Sequence, residues 1–183
     1  MKVTILNGNP SEGNTAFDGY LKELTEVLQS SNHTVVLLKL RDMDIRYCIG
    51  CYGCFVKTPG ECTVKDDSRD VRREYINSDL VLFASPVIMG FTSALLKKVQ
   101  DRLLPLIHPY FELYQNQMHH IPRYDKYPLI ALLLEKGRDT DEMDVKIVSD
   151  IYRREAVNLN TSLCFARLTT DSPEDVANEI NRV

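Results

Sequence analysis

Short apolar runs alternate with helical stripes along the whole chain, and this alternation restricts the fold more than any other feature. The runs are Val3–Leu6 (VTIL), Thr34–Leu40 (TVVLLKL), Leu80–Ala84 (LVLFA), Leu129–Leu134 (LIALLL) and Leu163–Leu168. Near-continuous apolar runs are expected of strands covered on both faces. Between them, Phe17, Tyr20, Leu21, Leu24, Val27 and Leu28 recur at helical spacing, as do Leu95, Leu96, Val99 and Leu103 ahead of Pro105. Asp67 or Ser68 can cap a helix to about Asn77. A helix from about Asp141 to Asn158 is expected to turn Ile147, Val148 and Ile151 inward, and Ser172-Pro173 opens a last helix. Five strands alternating with five helices predict a three-layer α/β fold, a doubly wound parallel sheet of order 2-1-3-4-5. A chain of 183 residues reads as a single domain, 1–183. Two stretches depart from the pattern: a cysteine-rich loop, 46–66, and an irregular excursion, 108–127, rich in Tyr, His and Pro. An excursion of that length is expected to be functional or interfacial.

Charge excludes some partners. The net charge is −4 and the basic residues are scattered, so no nucleic acid is expected. The pairs Arg72-Arg73, Lys97-Lys98 and Arg153-Arg154 read as solvated helix faces. The first apolar run is too short for a secretory signal, and the longest, Leu129–Leu134, falls far short of a membrane span. The expectation is a soluble, cytoplasmic chain with no membrane partner. In a reducing compartment, clustered cysteines point to metal or redox chemistry before structural disulfides.

Three stretches carry chemistry. Asn7 to Thr15 (NGNPSEGNT) links the first strand to the first helix. It is neither a Walker loop nor a dinucleotide fingerprint. Its backbone N–H groups and the helix N-terminus behind it favour an anion, and Ser11, Asn14 and Thr15 add side-chain donors. With no Lys or Arg in the loop, it suits a phosphate monoester held by neutral donors; the alternative is a helix capped by Asn14 or Ser11. The second stretch, Ser85-Pro86-Val87-Ile88-Met89-Gly90, follows the third strand and lies beside the first turn at the switch point. Val87, Ile88 and Met89 there are apolar yet exposed by position, which suits a planar ligand; the alternative is that they tuck into the core.

The third stretch is Cys48-x2-Cys51-x2-Cys54-x7-Cys62, with Pro59-Gly60 as its return turn. Four thiolates at this spacing can ligate a 4Fe-4S cluster, hold zinc, or remain thiols or a labile disulfide. Cys164, in the last strand, reads as a small buried hydrophobe. His119 and His120 lack ligand spacing and are expected at a surface or subunit contact.

These residues carry a resemblance. Gly8-Asn9-Pro10-Ser11-Glu12-Gly13-Asn14-Thr15 resembles the Gly-Ser-Pro-Arg-x-x-Gly-Asn-Thr phosphate loop of the NAD(P)H-dependent FMN reductases, a branch of the flavodoxin-like fold. SPVIMGFTSALLKKVQDR resembles that family's Ser-Pro-Val-Tyr loop and following helix, and CIGCYGC with Cys62 resembles the compact motif of its iron-sulfur flavoproteins. The matches run from Val3 to about Arg102, and beyond that point only element order agrees. Asn9 and Ser11 depart from the family's Ser and Arg, and Ile88 from its aromatic.

The resemblance implies FMN as cofactor, with Asn9, Ser11, Gly13, Asn14 and Thr15 at its phosphate. It also implies Ser85, Pro86, Val87, Ile88, Met89, Gly90 and Gly137 at its ring. NAD(P)H is then the transient donor, a small molecule or protein the acceptor, and Cys48, Cys51, Cys54 and Cys62 the ligands of a 4Fe-4S cluster. No side chain is assigned as catalytic, since the flavin carries the chemistry. An apolar ring site needs a cover, so a homodimer or homotetramer is expected. The rival readings are an FMN and iron-sulfur electron carrier without NAD(P)H activity, and a thiol or metal sensor on the same scaffold.

Overall fold

The computed structural model describes residues 1–114 and 116–183. Its elements follow the chain as β1 (Lys2–Asn7), α1 (Thr15–Ser30), β2 (Thr34–Lys39), α2 (Gly53–Val56), α3 (Ser68–Ile76), β3 (Leu80–Ile88), β4 (Phe91–Thr92) and α4 (Ala94–Asp101). Then come β5 (Ile107–Tyr114), β6 (Gln117–Pro122), β7 (Leu129–Glu135), α5 (Glu142–Asn158), β8 (Leu163–Leu168) and α6 (Pro173–Asn181). The main sheet runs β2-β1-β3-β7-β8, all parallel, with β4 paired back onto β3. The expected order is therefore observed.

Alternate strand residues feed two cores, as the period of a strand requires. Leu80, Leu82 and Ala84 pack with Phe17, Leu21, Leu24 and Leu28 of α1 and Val176 and Ile180 of α6. Val81 and Phe83 pack on the other side with Val71 and Tyr75 of α3, Leu96 and Val99 of α4, and Val148 and Tyr152 of α5. Register then fixes what meets at one edge: Asn7 lies beside Ala84, and Pro86 beside Glu135. The segments after β1, β3 and β7 leave the sheet together, at the crevice expected of this topology.

Four sequence expectations are corrected here. The third strand continues past Ala84 to Ile88, then folds back through Met89-Gly90 into β4, with φ of +51° and +75° at the two turn residues. Both φ values are positive, the pattern of a tight two-residue hairpin turn. The excursion is not irregular: β5 and β6 form an antiparallel ribbon with Phe111 opposite His120 and Leu113 opposite Met118. In α5 the inward face is Val148, Tyr152 and Ala156, while Ile147 and Ile151 are exposed. Tyr152 sets that rotation by packing edge-on to Phe83 at 5.4 Å between ring centroids. Arg72, read as solvated, is 6% exposed.

Tyr75 also packs edge-on to Phe83, and its buried hydroxyl has no hydrogen-bond partner among the described residues. Burial holds that phenol well above its ordinary pKa, so it remains neutral. An unpartnered buried hydroxyl costs free energy that a phenyl ring of the same shape does not. Tyr75→Phe is therefore expected to stabilise the chain by about 1 kcal/mol, read as a higher urea midpoint at unchanged slope.

Candidate functional site

The turn between β1 and α1 is built on the buried Asn9. Its side chain accepts from Ser11 N (3.0 Å) and donates to Asn14 O (3.0 Å) and to Asp18 Oδ1 (3.1 Å). Asn9 is wholly buried, so its side chain shapes the turn from within. Asn14 is the N-cap, its Oδ1 accepting from Phe17 N, while its amide nitrogen donates to Glu135 at 2.6 Å. That bond ties the turn to the end of β7. Ser11, Glu12, Gly13, Thr15 and Ala16 are exposed. The N–H groups of Glu12, Thr15 and Ala16 find no acceptor among the described residues, as expected at a helix start. With the Thr15 and Ser11 hydroxyls they form a cluster of neutral donors at the positive end of α1.

The turn itself holds no Lys or Arg, yet the fold brings a cation to it. Arg41, which follows β2, donates through Nη2 to Asp18 at 2.5 Å and through Nη1 to the Asn9 carbonyl at 3.4 Å. It arrives there because β2 lies beside β1 in the sheet. Arg41 holds the Asp18 carboxyl well below the ordinary range; burial opposes this, and Asn7 and Asn9 add to it. The pair braces the turn and leaves little net charge beneath it.

The second segment is welded to the first. Gly8 N donates to Ala84 O at 2.8 Å, and Ser93 Oγ donates to Gly8 O at 2.5 Å. A Cβ on Gly8 would stand 3.1 Å from the Ala84 carbonyl and 3.0 Å from the Leu96 Cβ, so only glycine allows this approach. Ser85, also buried, accepts from Ser93 N at 2.9 Å and donates to the Pro86 carbonyl. Val87 is buried against expectation, because strand alternation turns it inward while Ile88 and Met89 stay exposed. A cleft of about 360 Å³ lies between Val87, Met89 and Gly90 on one side and Gly137 to Thr140 on the other.

The four clustered cysteines lie on the loop around α2. Cys48 and Cys51 are exposed, Cys62 is half-buried and Cys54 is buried. Cys51 is held below the ordinary thiol pKa by the Gly53 N–H and then the Thr63 hydroxyl. Burial, then the neighbouring Cys62, Cys48 and Cys51, push Cys54 up, so the thiols feel one another. Val64 N donates to Cys62 Sγ at 3.4 Å. The donor chemistry suits an iron-sulfur cluster. Among the described residues, however, no three Cys, His, Asp or Glu side chains are gathered as a ligand set. Cys164 is half-buried, and burial raises its thiol.

His119 is not at the surface. It is 4% exposed, and its Nδ1 lies 2.9 Å from Asn158 Oδ1 at the end of α5. His120 is half-buried and bonds the His108 carbonyl. Both border the largest cavity described, about 600 Å³ between the ribbon, the cysteine loop and the ends of α4 and α5. None of the turn residues at the sheet edge lines it, so size alone does not mark the chemistry. No helix described is long and apolar enough to cross a membrane.

An iron-sulfur flavoprotein of Archaeoglobus fulgidus is 36% identical over 111 residues, covering 59% of this chain and 48% of the relative. The chain spans about half the length of the curated relatives it matches. Among solved structures, an azoreductase of Bacillus anthracis superposes with a TM-score of 0.70 at 14% identity over 100% of both chains. An FMN-dependent NADH-azoreductase of the same species, in complex with FMN, gives 0.65 at 14% identity over 100% of this chain and 95% of that one. At such identities the structures speak for the fold. The sequence match lies on residues 1–118, which hold the donor turn, the cysteine loop and the hairpin after β3, and by that match the chain belongs to the NADPH-dependent FMN reductase family.

Proposed function

We propose that the chain binds FMN at this sheet edge and acts as an NAD(P)H-dependent oxidoreductase toward a small-molecule or protein acceptor. The observation that carries the reading is the convergence, at the ends of neighbouring strands, of a neutral donor turn and a cleft that is apolar at Val87 and Met89 and polar at Arg138, Asp139, Thr140 and Asp144. Ser11, Gly13, Asn14, Thr15 and the free N–H groups before α1 would receive the phosphate. Ser85 to Gly90 and Gly137 would line the ring, with Ile88 and Met89 as its exposed apolar rim. When bound, the flavin supplies the hydride and electron chemistry. The chain's own residues bind, orient and exclude water: Gly8 and Ser93 fix the distance between the two segments.

In the finer reading, Cys48, Cys51, Cys54 and Cys62 hold a 4Fe-4S cluster. The curated relatives are iron-sulfur flavoproteins, and the donor set suits the chemistry. A second copy of the chain would cover the flavin; exposed Tyr110, Phe111, Leu113 and Met118 on the ribbon and Tyr47, Ile49 and Tyr52 on the cysteine loop offer apolar surface for it.

One anaerobic preparation tests these readings together. Flavin absorption that bleaches on adding NADPH or NADH is expected. Bleaching by a reduced protein donor alone would replace the enzyme reading with that of an electron carrier, and a colourless protein would overturn both. About four irons and matching sulfide per chain are expected for the cluster; their absence leaves a thiol loop. Sedimentation of the same sample should give a multiple of the 21.0 kDa chain, and monomer with full flavin would remove the subunit cover.

A further inference from the structure

On α3, the side chain of Arg72 is buried without an ion-pair partner among the described residues. It is 6% exposed, and among the described residues it forms no ion pair. Its Nη1 donates to Ser68 Oγ (2.9 Å) and to the Arg102 carbonyl (3.3 Å). Its Nε and Nη2 find no acceptor among the described residues, yet they are not sealed from solvent. Arg72 borders a cavity of about 210 Å³ shared with Arg69 and Arg73. The three arginines fall on one helical face by their spacing.

Nearby anions are committed elsewhere or distant. Glu61, the carboxylate lining the cavity, lies 3.9 Å from Arg69 Nε, and Arg73 reaches Asp70 (3.2 Å) and Glu74 (3.8 Å) on its own helix. Asp66 is taken by Arg102. Arg72 stands in the middle of α3, where the helix dipole gives it little, against a burial penalty of several kcal/mol for an unpaired ion. Burial, and then the Arg102 charge, hold Arg72 below the ordinary arginine pKa, and the more distant Cys62, Glu61 and Asp66 oppose this without restoring it. The opposite wall is apolar, from Ile76 and Leu106, with Tyr124 at the rim.

We propose that this cavity is an oxyanion site, separate from the flavin cleft, that takes a phosphate-type dianion: free phosphate or the phosphate of a small monoester. A planar guanidinium with two free donors matches such an oxyanion, and two exposed arginines add charge around it. Gly60 and Glu61 belong to the cysteine loop and Leu106 to the foot of the ribbon, so an occupant would join α3 to both.

The test is calorimetric titration of FMN-saturated protein, at ionic strength held constant with chloride, using inorganic phosphate and glycerol 3-phosphate. One site per chain is expected, weakened tenfold or more in Arg72→Met, a loss of about 1.4 kcal/mol, with flavin retention unchanged. Tighter binding of the ester assigns the site to a monoester, and equal binding to free phosphate. Arg72→Met keeps the stem and removes an unpaired charge, so it is expected to fold. Should it not, Arg69→Gln with Arg73→Gln, both exposed, should weaken binding severalfold. No heat up to 10 millimolar, or the same affinity in every variant, overturns the proposal. A chain without flavin would still be read by the Arg72 variant, since phosphate at the turn before α1 would be untouched by it.

Discussion

Replacing Arg102 with Met is expected to lower the unfolding free energy by about 3–5 kcal/mol, the largest single effect we anticipate in this chain. Arg102 and Asp66 are 3% and 0% exposed in their side chains and meet through Nη2 at 2.8 and 2.9 Å. Around them, Ser68 Oγ donates to Asp66 and accepts from Arg102, and Arg46 N donates to the second carboxylate oxygen at 3.0 Å. Methionine keeps most of the stem's volume but leaves the carboxylate dry and unpaired. Breaking a buried pair from one side is costly for that reason, even where replacing both partners is not. Asp66→Asn should cost as much, because it strands Arg102 beside the already unpaired Arg72. Urea unfolding of the two single variants and the double variant checks this, and additive costs would show that the pair does not act as a unit.

The sign with pH follows. Burial alone would raise Asp66, but Ser68, the Arg46 N–H and Arg102 outweigh it and leave the carboxyl below the ordinary aspartate range. The folded chain therefore releases that proton more readily than the unfolded one. Stability from the pair is fully present above the ordinary aspartate pKa and is lost as pH falls through the lower folded value. The pair pins the end of the cysteine loop to the end of α4, so Arg102→Met should also speed thiol labelling at the buried Cys54.

Strand order, helix spans and the two facing turns were legible because each rests on a local pattern: apolar runs, 3.6-residue stripes, and small polar residues between them. What escaped is set by partners far along the chain. Nothing near Arg41 announces that β2 will carry it beneath the turn at Asn9. Ile147 and Ile151 have the apolar character of core residues, but the rotation of α5 is decided by Tyr152 against Phe83, which only packing can reveal. The ribbon was hidden because its side chains are mostly exposed and its alternation is broken by a bulge between Ile107 and Phe111. Arg72 sits next to Arg73 in the sequence like half of a solvated pair, and what buries it is tertiary: its guanidinium is held against the Arg102 carbonyl at the end of α4. The cysteines were legible as chemistry but not as geometry, since sulfur spacing alone leaves the loop path open.

Glu155 gives the second large effect, and with the opposite pH sign. It stands half-buried at the wall of the 600 Å³ cavity, and its carboxylate makes no hydrogen bond or ion pair among the described residues. Lys97, which would help it, is already paired with Asp101. Burial therefore raises its carboxyl from an ordinary 4.5 to about 7, with Lys97 opposing and Asp101 adding. Across that window the folded chain holds a proton that the unfolded chain has lost. Stability is thus full below the ordinary value, falls as pH rises toward 7, and is level above it. A shift of that size corresponds to at most about 3–4 kcal/mol, and partial solvent screening brings the expected loss to about 1–2 kcal/mol in total. Glu155→Gln keeps the shape and removes the titration. The variant should match the parent at about pH 4 and exceed it by about 1–2 kcal/mol at pH 8. Identical urea midpoints for parent and variant at both pH values would mean that water in the cavity already solvates the carboxylate. A variant gain confined to pH 8 would show that the wall beneath the ribbon is dry enough to hold a neutral acid at physiological pH.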